Sequence, residues 1–331
     1  MKIAVLDDYP KVFRTLDCYP RLAEHDVTVF HDVEKDVARL AQRLQAFEAI
    51  LLTQGRSPLP GALIEQLPNL KLVVQTGDHV EHIDVDACTR RGIAIAAGRG
   101  GLPPATVELT WGLILASMRY IPREVDNLKR GIWQTTLGNG LNGKTLGVYG
   151  PGRIGMRVAQ IGAAFGMKVV CLGREGTAAR IVAAGFEAAP DRRTFFENAD
   201  VLSLHVPLDG TTRGIVTAAD LARMKPDALL VNTARAALIE PGALVAALQR
   251  GHPGFAAVDV YEDEPVLHGA HPLLDMPNVL CTPHLGYVEK AAYESYFSIA
   301  IDGVLGFAAG RPVNLLNPQA LSKTTSERRQ P

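Results

Sequence analysis

The stretch that most constrains this chain runs from Thr145 to Glu175, TLGVYGPGRIGMRVAQIGAAFGMKVVCLGRE. Leu146 to Tyr149 is a short apolar run of buried-strand type. It breaks at Gly150-Pro151-Gly152-Arg153-Ile154-Gly155, passes into a helical pattern that stops near Gly166, and is followed by a second apolar run, Val169 to Leu172. Strand, glycine-rich turn, helix and strand in that order give a G-x-G-x-x-G match the context it needs to mean dinucleotide binding rather than a plain turn. The expected division of labour is physical. Gly150 allows the tight turn, Gly152 lets backbone approach a pyrophosphate, and Gly155 lets helix and strand pack closely. The free N–H groups of Arg153 and Ile154, at the positive end of the helix dipole, then face the phosphate charge.

The rest of the chain reads as more of the same architecture. Ile3 to Leu6, Val27 to Phe30, Ala49 to Thr53 and Leu72 to Gln75 are apolar runs of parallel-strand type, with Val33, Val37, Leu40, Leu44 and Phe47 at helical spacing between them. Gly61 to Leu67 reads as a short helix. Gly98 to Pro104 is a Gly/Pro cluster suited to a hinge. Ala105 to Leu128 is predicted as one long apolar helix, either interior or a subunit interface. Behind the glycine motif come Val201 to Val206, Ala228 to Val231, Ala256 to Val260 and Val279 to Cys281, for a predicted sheet of six strands. A helix over Ala291 to Phe307 follows, and Ser322 to Pro331 is expected to be a frayed tail.

Composition excludes several classes of function. A net charge of −1 gives no footprint for nucleic acid or an anionic membrane surface. The four cysteines are dispersed, without a C-x-x-C pair, which fits a reducing, cytoplasmic compartment. No apolar run reaches membrane-spanning length. His79, His82 and Asp84 do not form a metal-ligand pattern, so no metal is expected.

A set of motifs then appears in order: Ser203-Leu204-His205-Val206-Pro207-Leu208, Thr211-Thr212-Arg213-Gly214-Ile215, Met224-Lys225-Pro226, Val231-Asn232-Thr233-Ala234-Arg235, Val258-Asp259-Val260-Tyr261-Glu262-Asp263-Glu264-Pro265 and Thr282-Pro283-His284-Leu285-Gly286. With the glycine motif they resemble the D-isomer-specific 2-hydroxyacid dehydrogenases, over residues 50 to 316. The resemblance implies an α/β fold of two doubly wound parallel-sheet domains. A Rossmann coenzyme domain, residues 101–286, would be inserted into a flavodoxin-like substrate domain formed by residues 1–100 and 287–331.

The resemblance also implies a catalytic trio of Arg235, Glu264 and His284. Arg235 offers a planar, permanently charged fork for the carboxylate and carbonyl oxygen of a 2-keto acid. An imidazole titrates near neutrality, at about 6.5 in the reference state, which suits His284 to exchange a proton with the substrate oxygen. A Glu264 carboxylate beside it would favour the imidazolium and orient the ring. The same resemblance assigns Gly150, Gly152, Arg153, Ile154, Gly155, Val206, Pro207, Thr212, Thr233, Ala234, Asp259 and Gly286 to an NAD(P)(H) site, with Thr106 a further candidate; Arg174 joins them as a candidate for a ribose 2′-phosphate. His205 is read as lining rather than catalytic. Gly77, Asp78 and His79, together with Arg235, are assigned to a small 2-keto or 2-hydroxy acid substrate.

Two departures from the family pattern matter. His79 stands where a second glycine is common in the substrate loop. Gly173 stands at the strand end where NAD enzymes place Asp or Glu for the ribose 2′-hydroxyl, and Arg174 follows it. That balance leans to NADP(H), while Glu175 keeps NAD(H) open. Alternative readings are a phosphite- or formate-type dehydrogenase on the same scaffold, and a non-enzymatic dinucleotide-sensing module of corepressor type. A homodimer through the helix near residues 105–128 is expected.

Overall fold

The computed structural model describes residues 1–98, 100 and 103–321. It divides into two compact units, one formed by Met1–Leu102 with Glu289–Pro331 and the other by Pro103–Val288. The tail reading for Ser322 to Pro331, and part of the hinge reading at Gly98 to Pro104, lie outside the described residues.

The first unit holds five parallel strands, β1 (Lys2–Val5), β2 (Asp26–Val29), β3 (Ala49–Leu52), β4 (Leu72–Thr76) and β5 (Ala94–Gly98), in the order β2-β1-β3-β4-β5. β3 and β4 are fully buried, β3 apolar throughout and β4 apolar up to Gln75 and Thr76, as a parallel sheet covered on both faces requires. Helices α1 (Val37–Leu44), α2 (Gly61–Ile64) and α3 (Val85–Arg90) connect them. Asp36 and Asp84 cap α1 and α3 by accepting from Arg39 N and Ala87 N. Asp84 is therefore a helix cap.

The chain returns to this unit near its C-terminus. Asn314 O accepts from Ala97 N at 3.0 Å, and Leu316 N donates to Ile95 O at 2.9 Å, so the returning segment lies along the free edge of β5. Asn317, fully buried, accepts from Ile95 N at 2.7 Å and donates to Thr89 Oγ1 and Ile93 O, both at 2.9 Å. Backbone pairing, rather than sequence proximity, joins the two ends of this unit.

The second unit is built on α4 (Pro103–Met118), α5 (Ile121–Lys129), β6 (Thr145–Tyr149), α6 (Arg153–Ala164), β7 (Lys168–Leu172), α7 (Ala178–Ala183), β8 (Glu187–Ala188), α8 (Arg192–Asn198), β9 (Val201–Leu204), α9 (Ala218–Leu221), β10 (Leu229–Asn232), α10 (Ala243–Arg250), β11 (Phe255–Val258) and β12 (Val279–Cys281). Its parallel sheet runs β12-β11-β10-β9-β6-β7-β8. The sheet has seven strands where six were predicted. The two-residue edge strand β8 is too short to carry a periodic signal.

The single helix predicted over Ala105 to Leu128 is two. Tyr120 takes a left-handed backbone, φ +51°, and Pro122 sits in the first turn of α5, where its missing N–H costs nothing. The break also separates environments. Val107, Trp111, Leu113, Ile114 and Met118 of α4 pack into the unit's own core with Leu146, Val148 and Val158. Ile121, Val125 and Leu128 of α5 stay exposed and line a shallow groove together with Arg119 and Glu124. The last helix, α11 (Lys290–Ala308), is capped by Glu289 and packs on β4 and β5 of the first unit.

Candidate active site

The glycine-rich turn is shaped by close approach. Gly150 has φ +92°, and a Cβ there would lie 2.7 Å from the His205 and Val206 backbone. A Cβ on Gly155 would lie 2.4 Å from Gly150 O. Only glycine fits at either place. Gly152 differs, because a Cβ there would enter open space. Gly152 is also the N-cap of α6 and offers no capping side chain, so the first-turn N–H groups at Arg153 and Ile154 have no side-chain acceptor. A bare, open helix start of this kind fits the pyrophosphate of a dinucleotide.

Around it lie several predicted cofactor positions. His205 N donates to Tyr149 O at 2.7 Å, and the His205 ring shares a 2.8 Å hydrogen bond with Ser203 Oγ. Burial pushes the His205 imidazole down to about 4, which disfavours its charged form. Val206 and Pro207 follow β9, and Thr212 Oγ1 donates to Pro207 O at 2.7 Å, closing that loop. Arg174 lies just past β7 and is exposed.

Arg235 follows β10 on a turn that Asn232 holds from both sides. Asn232 Oδ1 accepts from Ala234 N, and its Nδ2 donates to Arg235 O, both at 3.0 Å. Thr233 Oγ1 meets Thr110 Oγ1 of α4 at 2.9 Å. The Arg235 side chain itself is exposed, with Nη1 donating to Ala234 O.

Glu264 and His284 come together. His284 Nδ1 and Glu264 Oε2 are 2.5 Å apart, a direct hydrogen bond, and each side chain is 22% exposed. Glu264 Oε1 accepts from Tyr261 N at 2.9 Å, while Tyr261 donates its hydroxyl to Thr282 O, also at 2.9 Å. Tyr261 therefore grips both loops of the pair. Glu264 engages Nδ1, so Nε2 is the ring nitrogen outside this pair.

His284 has a left-handed backbone, φ +52°, uncommon for a side chain of this size. Asp259, fully buried at the end of β11, accounts for how the loop keeps it. Its Oδ1 accepts from Thr282 Oγ1 and Leu285 N, both at 2.7 Å, and its Oδ2 accepts from Gly286 N at 2.8 Å. Burial raises the Asp259 carboxyl above the ordinary value, opposed by these hydrogen bonds and by His284. Thr106 Oγ1 completes the anchor by donating to Gly286 O at 2.8 Å. Both Asp259 oxygens are thus engaged by the histidine loop, an anchoring role not read from the sequence. Asn232, Tyr261 and Thr282 escaped site assignment for a similar reason: only their contacts give them a role.

Because β10, β11 and β12 are neighbours, Arg235, Asp259 and His284 all leave carboxyl ends on one edge of the sheet. That edge is where open parallel sheets bind ligands. Gly77, Asp78 and His79 belong to the first unit, past the end of β4. Gly77 has φ +90°, and His79 lies 3.8 Å from both Asp78 and Glu81 carboxylates. His82 is held below its usual value by burial. Among the described residues no three His, Cys, Asp or Glu side chains group to hold a metal ion, and no helix is long and apolar enough to cross a membrane.

Comparison with known proteins adds the following. The profile of the D-isomer specific 2-hydroxyacid dehydrogenase NAD binding domain matches residues 111–286. A glyoxylate reductase of Aeropyrum pernix is 34% identical over 330 residues, covering 94% of this chain and 97% of its own. A D-3-phosphoglycerate dehydrogenase of Bacillus subtilis is 36% identical over 297 residues, covering 88% of this chain and 55% of its own, so the chain spans about half of that relative. Among solved structures, a phosphoglycerate oxidoreductase from Vibrio cholerae superposes with a TM-score of 0.91 at 50% identity, covering 94% of this chain and 99% of its own.

Proposed function

Because the chain belongs to the D-isomer specific 2-hydroxyacid dehydrogenase family, whose members are NAD-dependent oxidoreductases, we propose that it interconverts a small 2-keto acid and its D-2-hydroxy acid with Arg235, Glu264 and His284. When bound, the nicotinamide ring would supply or accept the hydride. Arg235 pairs its fork with the substrate carboxylate and fixes the carbonyl carbon in place. His284 passes a proton through Nε2 to the oxygen that becomes the hydroxyl, or removes it in reverse. Glu264 keeps the ring oriented and stabilises its charged form through Nδ1. The observation that carries this reading is the Glu264–His284 pair on a loop clamped by Asp259.

The finer readings have separate support. Gly173 presents no carboxylate at the end of β7 and the exposed Arg174 follows it, which favours NADP(H) over NAD(H). His79, in place of a second loop glycine, adds a polar side chain to the substrate loop of a domain formed by the two ends of the chain. The homodimer is assigned to the apolar surface that follows the break at Tyr120. Ile121, Val125, Leu128, Trp133 and Leu137 are all exposed there, with Trp133 at 73% and Leu137 at 94%. That narrows the interface expected over residues 105–128 to its α5 part and extends it into the segment that follows.

Absorbance assays with glyoxylate, hydroxypyruvate, pyruvate and 3-phosphohydroxypyruvate, each with NADH and with NADPH, test the reading. Oxidation of reduced cofactor by at least one acid is the expected result, with NADPH preferred. No turnover with any acid and either cofactor would overturn it, and a clear NADH preference would overturn the cofactor reading alone.

A further inference from the structure

The end of β7 carries a steric relation between Gly173 and Thr177. Gly173 is not in the left-handed region, so its backbone does not demand glycine. Its neighbours do. A Cβ at position 173 would lie 2.4 Å from Thr177 Oγ1, 3.1 Å from Thr177 Cβ and 3.2 Å from Pro151 Cδ. The first of these is closer than real Cβ contacts come, so something must move before any side chain can occupy position 173.

Thr177 is not free to yield without consequence. Its Oγ1 donates to Arg174 O at 2.8 Å, and its N donates to the same carbonyl at 3.1 Å. Thr177 is the N-cap residue of α7, and its carbonyl accepts from Arg180 N and Ile181 N, both at 3.1 Å. Arg180 in turn donates from Nη2 to Pro151 O at 3.0 Å, inside the glycine-rich turn. The loop after β7 and the glycine-rich turn are therefore tied into one closed circuit. Turning the Thr177 hydroxyl away from position 173 breaks its bond to the Arg174 carbonyl and shifts the residue that carries the cation.

We propose that Thr177 is a specificity-determining residue for the cofactor's adenosine ribose, closing position 173 to a carboxylate and holding Arg174 in its place. This rests on the reading that the turn from Gly150 to Gly155 holds a dinucleotide, whose ribose then lies at the end of β7. An acid at position 173 and an arginine at position 174 are alternatives, and Thr177 sets which one the loop accepts. Cofactor choice here is a property of three coupled residues.

A double-mutant cycle on the full chain tests this. In melting experiments without cofactor, Gly173→Ala should lower Tm, and Thr177→Gly should recover most of that loss in the double variant. Fluorescence titration then reads NADH affinity. Gly173→Asp alone should not tighten NADH, whereas Gly173→Asp with Thr177→Gly should tighten it by about tenfold relative to Gly173→Asp, the worth of a charge-assisted hydrogen bond. Gly173→Asp with Thr177→Ser, which keeps the hydroxyl, should stay blocked. An unchanged Tm for Gly173→Ala, or Gly173→Asp alone tightening NADH as much as the double variant, would overturn the proposal. Failure of the wild type to bind either dinucleotide would instead sink the underlying reading, and the melting cycle would still decide whether Thr177 closes position 173.

Discussion

Asp259→Asn isolates the anchoring of the histidine loop. The substitution keeps the shape of the side chain but replaces one acceptor oxygen by an NH₂ donor. All three partners of Asp259 are donors: the Thr282 hydroxyl, Leu285 N–H and Gly286 N–H. In the gentler orientation the amide oxygen keeps Thr282 and Leu285, and the NH₂ faces the Gly286 N–H. One hydrogen bond is then lost and two buried donors confront each other. An unsatisfied buried polar group costs about 1–3 kcal/mol. Taking about 2 kcal/mol, Tm should fall by about 4–8 °C for a unit of this size. Turnover should suffer more than stability. The left-handed backbone at His284 is maintained by bonds on either side of it, at Thr282 and Leu285, and a displacement of about 1 Å costs about 10²-fold in rate. Scanning calorimetry and steady-state turnover on one preparation provide both readings. A variant that melts within 1 °C of wild type, at that precision of about 0.3 kcal/mol, and keeps its turnover would refute the anchoring argument.

Other predictions address the groups individually. His284→Ala should lower turnover by about 10²–10⁴-fold while cofactor binding by fluorescence is preserved; near-normal turnover would place the proton exchange elsewhere. Arg235→Lys should raise the KM for the keto acid and lower kcat, because a point charge cannot reproduce the fork; unchanged kinetics would remove Arg235 from the site. Glu264→Gln keeps a hydrogen-bond partner for Nδ1 but removes the carboxylate from the pair, so turnover should fall while cofactor binding by fluorescence is preserved; unchanged turnover would uncouple the pair. Asp7, buried at the end of β1, is raised above the ordinary carboxyl value chiefly by burial, which outweighs Ser57, Tyr9 and Arg56. Its contribution to stability is present at acid pH and is lost as pH rises from the ordinary carboxyl range through the raised folded value. The Tm of Asp7→Asn should therefore gain on that of wild type as pH rises through this window, and melting curves that keep a constant offset would contradict the shift.

Much of this molecule is legible before folding. The turn from Gly150 to Gly155 is defined by its own spacing and by apolar runs on both sides, and such local patterns are visible without coordinates. The same holds for the parallel strands, whose double-sided burial forces unbroken apolar runs such as Ala49 to Leu52. Arg235, Glu264 and His284 stand in motifs specific enough to be singled out from sequence alone. Other features depend on contacts between positions far apart in the chain. Asp259 meets residues 23 to 27 positions further on, and its identity as an acid does not say that N–H groups will surround it. Asn317 reaches Ile95 across 222 positions to join the two ends of the first unit. Even four positions apart the outcome is hidden: Gly173 reads in the sequence as a missing carboxylate, whereas folding brings Thr177 Oγ1 within 2.4 Å of where a Cβ at position 173 would stand. The sequence determined which chemistry is available at each strand end, because side-chain type and periodicity are local properties. Tertiary structure decided which groups are held, blocked or left open to act, because burial and hydrogen-bond partners exist only once distant segments share the same space.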